Sequence, residues 1–174
     1  MKQIDWAELI GSARVSAVHM EMRDSYAVKQ EQEAFGLWRS TGIADTDLDS
    51  PGWAHWSRII RDAVSSGVVV RRTRIVSEPI TEYTRWLHAT TGGNLASGEL
   101  VRWLPRVNAS DLALPGNDYW VIDDHTVLFN HFTGDGDWTG DPFELRTEPA
   151  VIKLCATAFE SAWERAVDHA DYRP

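Results

Sequence analysis

A chain of 174 residues is long enough for one domain and too short for two ordinary ones. Apolar types make up 43% and charged types 25%, the balance of a globular protein rather than a disordered one. A formal net charge of -9 argues against a general nucleic-acid binder, which needs a basic face, and the single Cys155 excludes an intramolecular disulfide.

The lone cysteine points to a reducing compartment, and the start MKQIDWAELIG lacks the apolar run of a signal peptide. No stretch reaches the ~18 apolar residues of a membrane helix, so the expectation is a cytoplasmic protein with no membrane partner. Charge is unevenly spread. Residues 1–87 carry eleven basic and twelve acidic side chains, whereas 88–174 carry six and fourteen. The segment 118–148 has eight acids against Arg146 alone, and 58–74 has five arginines against Asp62. These patches either pair inside the fold or steer partners of opposite charge.

In chain order, residues 3–10 predict a short helix with Trp6, Leu9 and Ile10 on one side. Alternation around His19–Arg23 predicts a strand burying Val18, Met20 and Met22. Residues 29–39 read as a helix with Phe35 and Trp38 inward. Ser50 and Pro51 open a helix over 51–66, and Gly67 stops it. Residues 68–77 form the clearest strand. A helix over 80–89 then ends at a turn made by Gly92-Gly93. A short strand follows at 99–104, then a loop over 106–117 with a helical turn at 109–113. Residues 118–123 and 126–132 flank the polar pair Asp124-His125 as a hairpin. Residues 133–142 read as a Gly-rich polar loop, and 149–169 as a final helix opened by Pro149.

The resulting fold class is α/β (α+β): a mixed sheet of four to six strands covered by two or three helices. A right-handed crossover through 80–89 makes the strands at 68–77 and 99–104 parallel. Residues 67–169 form the core unit of a single 1–174 domain, and 1–66 are an N-terminal extension adding an outer strand and two helices.

The strings HMEMRDSY at 19–26, RRTRIVSEP at 71–79, GELVRWLPR at 98–106 and LPGNDYWVIDD at 114–124 occur in order. FNHFTGDGDW at 129–138 and AVDHADYRP at 166–174 follow them. With these the chain resembles, from about Leu9 to Pro174, the actinobacterial DUF6879 family of unknown function. Members of that family are often encoded near small helix-turn-helix regulators, and the resemblance therefore implies a regulatory or ligand-sensing role and brings no catalytic residues with it. The segment 68–165 is also similar to degenerate phospholipase-D-like sensor modules. Catalytic members of that superfamily use an H-x-K-x-D pattern, and no lysine of this chain follows a histidine by two.

Three constellations are candidates for chemistry. His19, Glu21 and Arg23 share one face of a strand, as a ligand or catalytic group or as an ion pair at a sheet edge. Arg72 and Arg74 share a strand face, and Arg102 on a neighbouring strand would complete an anion site unless Glu78 and Glu99 neutralise it. The third spans Asn117, Asp118, Asp123 and Asp124, then Asn130, His131 and the loop 134–137. Its oxygen donors do not follow the calcium-hand spacing, so no metal is expected, and His131 is either a pocket residue or a hydrogen-bonded structural one. Cys155 sits in an apolar helix stripe and reads as packing.

Conventional catalytic signatures are missing: G-x-S-x-G, the phosphate loop, G-x-G-x-x-G and H-E-x-x-H. H-M-E at 19–21 begins a zinc-deaminase pattern whose P-C-x-x-C half is absent. The expectation is therefore a non-catalytic, cofactor-free regulatory or interaction module. It would sense a small anionic ligand and bind a helix-turn-helix regulator or another copy of itself, with no direct nucleic-acid contact. Trp138, in a polar loop, is the candidate partner anchor, or else folds back over the sheet end. The alternative is a phosphodiester or nucleotide hydrolase using His131 or His19 with the arginines.

Overall fold

A computed structural model describes residues 4–27 and 29–174. In chain order the elements are α1 (Trp6–Gly11), β1 (Ser16–Glu21), α2 (Lys29–Thr41), α3 (Ala54–Ser65), β2 (Val69–Val76), α4 (Glu82–Ala96) and β3 (Leu100–Pro105). Then come β4 (Asp118–Ile122), β5 (Thr126–Phe132), β6 (Trp138–Arg146), α5 (Pro149–Arg165) and β7 (Val167–Asp168). The seven strands form one sheet in the order β6-β5-β4-β1-β2-β3-β7. The β1, β2 and β3 strands are parallel, and the rest are antiparallel.

Alternation along the strands divides the core in two. On one face Ala17, Val70, Trp120, Ile122 and Leu128 pack under Ile10 of α1 and Ile59, Ile60 and Ala63 of α3. On the other, Val18, Met20, Ile75, Tyr119 and Val127 pack under Cys155, Phe159 and Ala162 of α5. Cys155 is fully buried there, and the Tyr119 hydroxyl donates to its backbone carbonyl at 2.9 Å. The wide apolar stripe of α5 exists because it covers a sheet rather than a second helix.

The mixed sheet and the parallel pairing of β2 with β3 follow the sequence reading, but the sheet is larger. The polar stretch 133–142 does not stay a loop. From Trp138 onward it is the edge strand β6, where Gly140 and Pro142 are tolerated because one side of the strand is unpaired. Residues 1–66 are not an outer addition, since β1 lies between β2 and β4 in mid-sheet. Pro51 belongs to a turn, and α3 starts only at Ala54. The last helix stops at Arg165, and Val167–Asp168 turn to pair with β3. The hairpin connection is Asp123–His125, one residue longer than the expected pair, because Ile122 pairs with Thr126. Asp123 and Asp124 have positive φ, 50° and 54°, and form the tight turn that the His125 amide closes on the Ile122 carbonyl at 2.9 Å.

Gly92 and Gly93 do not end α4, which runs to Ala96. Gly93 is there for space: a Cβ at this position would lie 2.6 Å from the indole of Trp53, whose Nε1–H donates to the Asp45 carbonyl at 2.9 Å. A Cβ on Gly92 would meet only the Thr46 methyl, at 3.4 Å. Gly92→Ala is therefore expected to raise stability by about 0.5 kcal/mol through helix propensity, whereas Gly93→Ala lowers it by about 2 kcal/mol through overpacking. Urea unfolding of the two variants checks this, and equal effects would refute the steric account.

Candidate functional site

The face of the sheet under α4 carries a row of polar side chains where a core would ordinarily be apolar. His19 and Glu21 of β1 stand beside Arg72 and Arg74 of β2, because the parallel register pairs His19 with Arg72 and Glu21 with Arg74. All four are buried. Glu21 bridges the two guanidiniums: Arg72 Nη1 donates to its Oε1, and Arg74 Nε donates to its Oε2 at 2.6 Å. Arg72 Nε donates to Glu99 at 2.7 Å, and Asn94 of α4 donates to the other oxygen of that carboxylate at 2.7 Å. Arg74 Nη1 donates to Thr91 at 2.6 Å. Two arginines and two glutamates thus balance within the interior. Burial works against ionising Glu21, but Arg74 and Arg72 overcome it and hold this carboxyl well below its ordinary range.

His19 lies flat on Trp120, ring centroids 4.2 Å apart, and Arg72 also lies over that indole at 5.6 Å. Its Nδ1 is 3.5 Å from Glu21, yet neither ring nitrogen makes a hydrogen bond. Desolvation, then the positive charge of Arg72, push its pKa well below 6.5, so it is neutral at physiological pH.

One step beyond the last β1–β4 pair, Met20 with Tyr119, Asp118 comes opposite Glu21. It accepts the Met22 amide at 2.8 Å and the Tyr26 hydroxyl, and so ties the segment after β1 across the carboxyl ends of the parallel strands. Burial raises its pKa to about 7, with the hydrogen bond from Tyr26 opposing and the nearby Glu21 charge adding. Beside it, Asn130 is buried with its Oδ1 unpartnered. The segment is fastened further by Asp24, which accepts the Ser77 amide at 2.6 Å, and by Ala27, which donates to the Gly136 carbonyl at 3.0 Å.

The remaining expected site residues lie elsewhere. Arg102 pairs in register with Thr73, not with Arg72, so it emerges on the opposite face and binds Asp168. The three-arginine anion site is therefore not assembled. Arg23 leaves the line of His19 and Glu21 because β1 ends at Glu21; it donates to the Thr133 and Gly134 carbonyls at 3.3 Å. His131 projects to the α5 face, away from His19, with its Nε2 3.3 Å from Glu144. Asp123 caps the chain at β1, accepting the amides of Arg14, Val15 and Ser16. Trp138 is half-buried, stacked on Phe132 at 4.3 Å and tilted against Phe143 at 5.2 Å, so its ring folds back on the sheet.

Asn94 and Thr91 escape a sequence reading that ends the helix at residue 89, and the contact of Tyr26 with Asp118, 92 residues away, has no local signal. Among the described residues no three His, Cys, Asp or Glu side chains converge as a metal site, and no helix is long and apolar enough to cross a membrane. Two surface concavities, one around Asp124, Lys153 and Thr157 and one around Asp49, Arg58 and Arg61, are not lined by any member of the buried row.

Comparison with known proteins gives a family and a fold. Residues 4–174 match the family described as "Domain of unknown function (DUF6879)". No curated protein matches the chain. Among solved structures, it is similar to a phospholipase D family member, Nuc from Salmonella typhimurium, with a TM-score of 0.50 at 15% identity, covering 97% of this chain and 89% of that one. It is also similar to TrmBL2, an archaeal chromatin protein described as having a novel mode of DNA binding, with a TM-score of 0.48 at 14% identity, over 92% of this chain and 48% of that one. At these identities the likeness to Nuc is one of fold.

Proposed function

The chain belongs to the DUF6879 family, and we propose that it is a non-catalytic regulatory interaction module, a phospholipase-D-like sheet that binds a basic protein partner. The observation that carries this reading is the closed arginine network. Arg72 and Arg74 are buried and already matched by Glu21 and Glu99, which leaves no free guanidinium in that row for a phosphoryl group or a small anionic ligand. The acids of 118–148 are arranged differently. Asp124, Asp135, Asp141 and Glu148 are exposed along the β4–β5 turn, the β5–β6 turn and the edge strand β6, with Arg146 the one lysine or arginine of the segment 118–148 and Lys153 of α5 beside Asp124. Such a strip suits a lysine- or arginine-rich segment of a DNA-binding regulator better than nucleic acid itself.

A hydrolase is the second reading, and one observation favours it. Glu21 is held ionised while its neighbour Asp118 titrates near neutrality, and split carboxyl pKa values of this kind distinguish a base from an acid. The two readings part on turnover and on partner capture. The purified protein is expected to show no turnover of a panel of nucleotides and phosphodiesters. It is expected to retain a basic protein from native cytoplasm that Asp135→Lys/Asp141→Lys releases. Turnover abolished by His19→Ala or Asp118→Asn would overturn the module reading in favour of the hydrolase.

A further inference from the structure

The face opposite the buried row is covered by α5, but α5 does not reach the starting ends of β2 and β3. There Val69 and Leu100 remain 48% and 51% exposed on the same face as Arg71 and Arg102. From the last turn of α5 Trp163 reaches toward them, with the Arg71 guanidinium 5.3 Å and the Arg102 guanidinium 4.4 Å from its ring centroid. Each arginine is tied to an acid at the rim: Arg71 Nη1 donates to Glu160 at 2.9 Å, and Arg102 Nε donates to Asp168 at 2.7 Å. A half-buried tryptophan held rigid between two guanidiniums, beside exposed aliphatic side chains, has the composition of an interface centre.

We propose that this patch is a self-association surface, through which two copies of the chain pair about a two-fold axis. Charge selects the occupant. The protein carries -9 overall, so two copies repel over most of their surfaces, yet here two cations and two anions cancel within one patch. Under a two-fold axis Arg71 and Arg102 of one copy can face Glu160 and Asp168 of the other, which makes the patch self-complementary. A strongly basic partner would meet Arg71 and Arg102, and a nucleic acid would meet Glu160 and Asp168. The aliphatic centre, Val69 and Leu100, would leave water on pairing, with Trp163 closing its edge. The surface is separate from the acidic strip proposed for the basic partner, so the two proposals stand or fall separately.

Sedimentation velocity over a wide concentration range tests this. Wild type is expected to move, as concentration rises, toward twice the 19.6 kDa chain mass. Leu100→Asp, at a half-exposed position at the start of β3, is expected to stay at the single-chain mass. Val107→Asp, at a 76% exposed position after β3, serves as the control and is expected to pair like wild type. Circular dichroism verifies that each variant is folded. A wild type that remains a monomer at every concentration, or a dimer that Leu100→Asp leaves intact, overturns the proposal. A monomer whose Leu100 region is protected only when cell extract is added assigns the patch to a foreign partner and overturns it equally.

Discussion

Glu21→Gln is expected to destabilise the protein by about 3–5 kcal/mol, the range for removing one partner of a buried ion pair. Glu21 is the carboxylate that Arg72 and Arg74 share, and all three side chains are buried. The substitution keeps the shape but leaves the interior with two guanidiniums against Glu99 alone. Glutamine keeps one acceptor oxygen but turns an NH2 toward the other guanidinium, so one of the two arginines loses its Glu21 contact, while Arg74 keeps Thr91 and the Leu87 carbonyl. For a domain of this length a change of that size lowers the melting temperature by roughly 10 °C. Urea unfolding at pH 7 provides the measurement. A loss below about 1 kcal/mol, the scale of a surface pair, would mean that water reaches the network and that the row is open rather than structural.

Asp118→Asn is expected to act in the opposite direction, and only at the higher pH. The carboxyl has an ordinary pKa of 3.8 and is raised to about 7 by burial. Below about 3.8 native and unfolded chains both hold the proton, and it contributes nothing. Between 3.8 and 7 the unfolded chain ionises first, so the native state binds more protons and stability falls as pH rises. Above 7 the full penalty remains, with an upper bound of about 4 kcal/mol. An asparagine can still accept the Met22 amide and can donate to the Tyr26 oxygen, so it removes the penalty while keeping both contacts. Relative to wild type, the variant should therefore be roughly 2 kcal/mol more stable at pH 8 than at pH 4. Comparing the two pH values cancels whatever the substitution does independently of ionisation. A variant that loses ground at pH 8 would show that ionised Asp118 is stabilised by groups around it.

The histidines set the acid limb of the same profile. Burial lowers His19 and His88 below 6.5 and His169 to about 4. A lowered histidine contributes stability that is present above 6.5 and is lost as pH falls below it, because the unfolded chain then takes up the proton first. For His169 the structural counterpart is plain: its Nδ1 accepts the Trp103 indole N–H at 3.1 Å, and its ring lies 4.5 Å from that of His88. Protonation of both rings would place two charges together under the C-terminal turn that carries Tyr172. Removing Asp118 from this balance should move the pH of greatest stability upward.

Much of the architecture was legible in the sequence because it depends on local periodicity. The apolar alternation of 69–76, the stripe of α5 and the β4–β5 hairpin are each properties of a short segment, set by which side chains share a face. The family was legible as well, through strings preserved in order. Arg72 and Arg74 could be placed on one strand face for the same reason, since a strand's alternation is visible along the chain.

What the tertiary structure decided was whatever depends on the neighbour across a strand or under a helix. Register sent Arg102 to the opposite face from Arg72, because β3 pairs Arg102 with Thr73, and a shift of one residue would have assembled all three arginines. Gly93 read as a turn because glycine usually breaks helices, while the reason for it, the indole of Trp53 forty residues earlier, leaves no trace in the local pattern. The edge strand β6 looked like a loop because glycine, proline and aspartate are disfavoured in a central strand, and only an unpaired edge accommodates them. The charge balance of the interior was undetermined in the same way: Glu99 reaches Arg72 across 27 residues of chain, and only the packing of α4 over the sheet makes that carboxylate its partner.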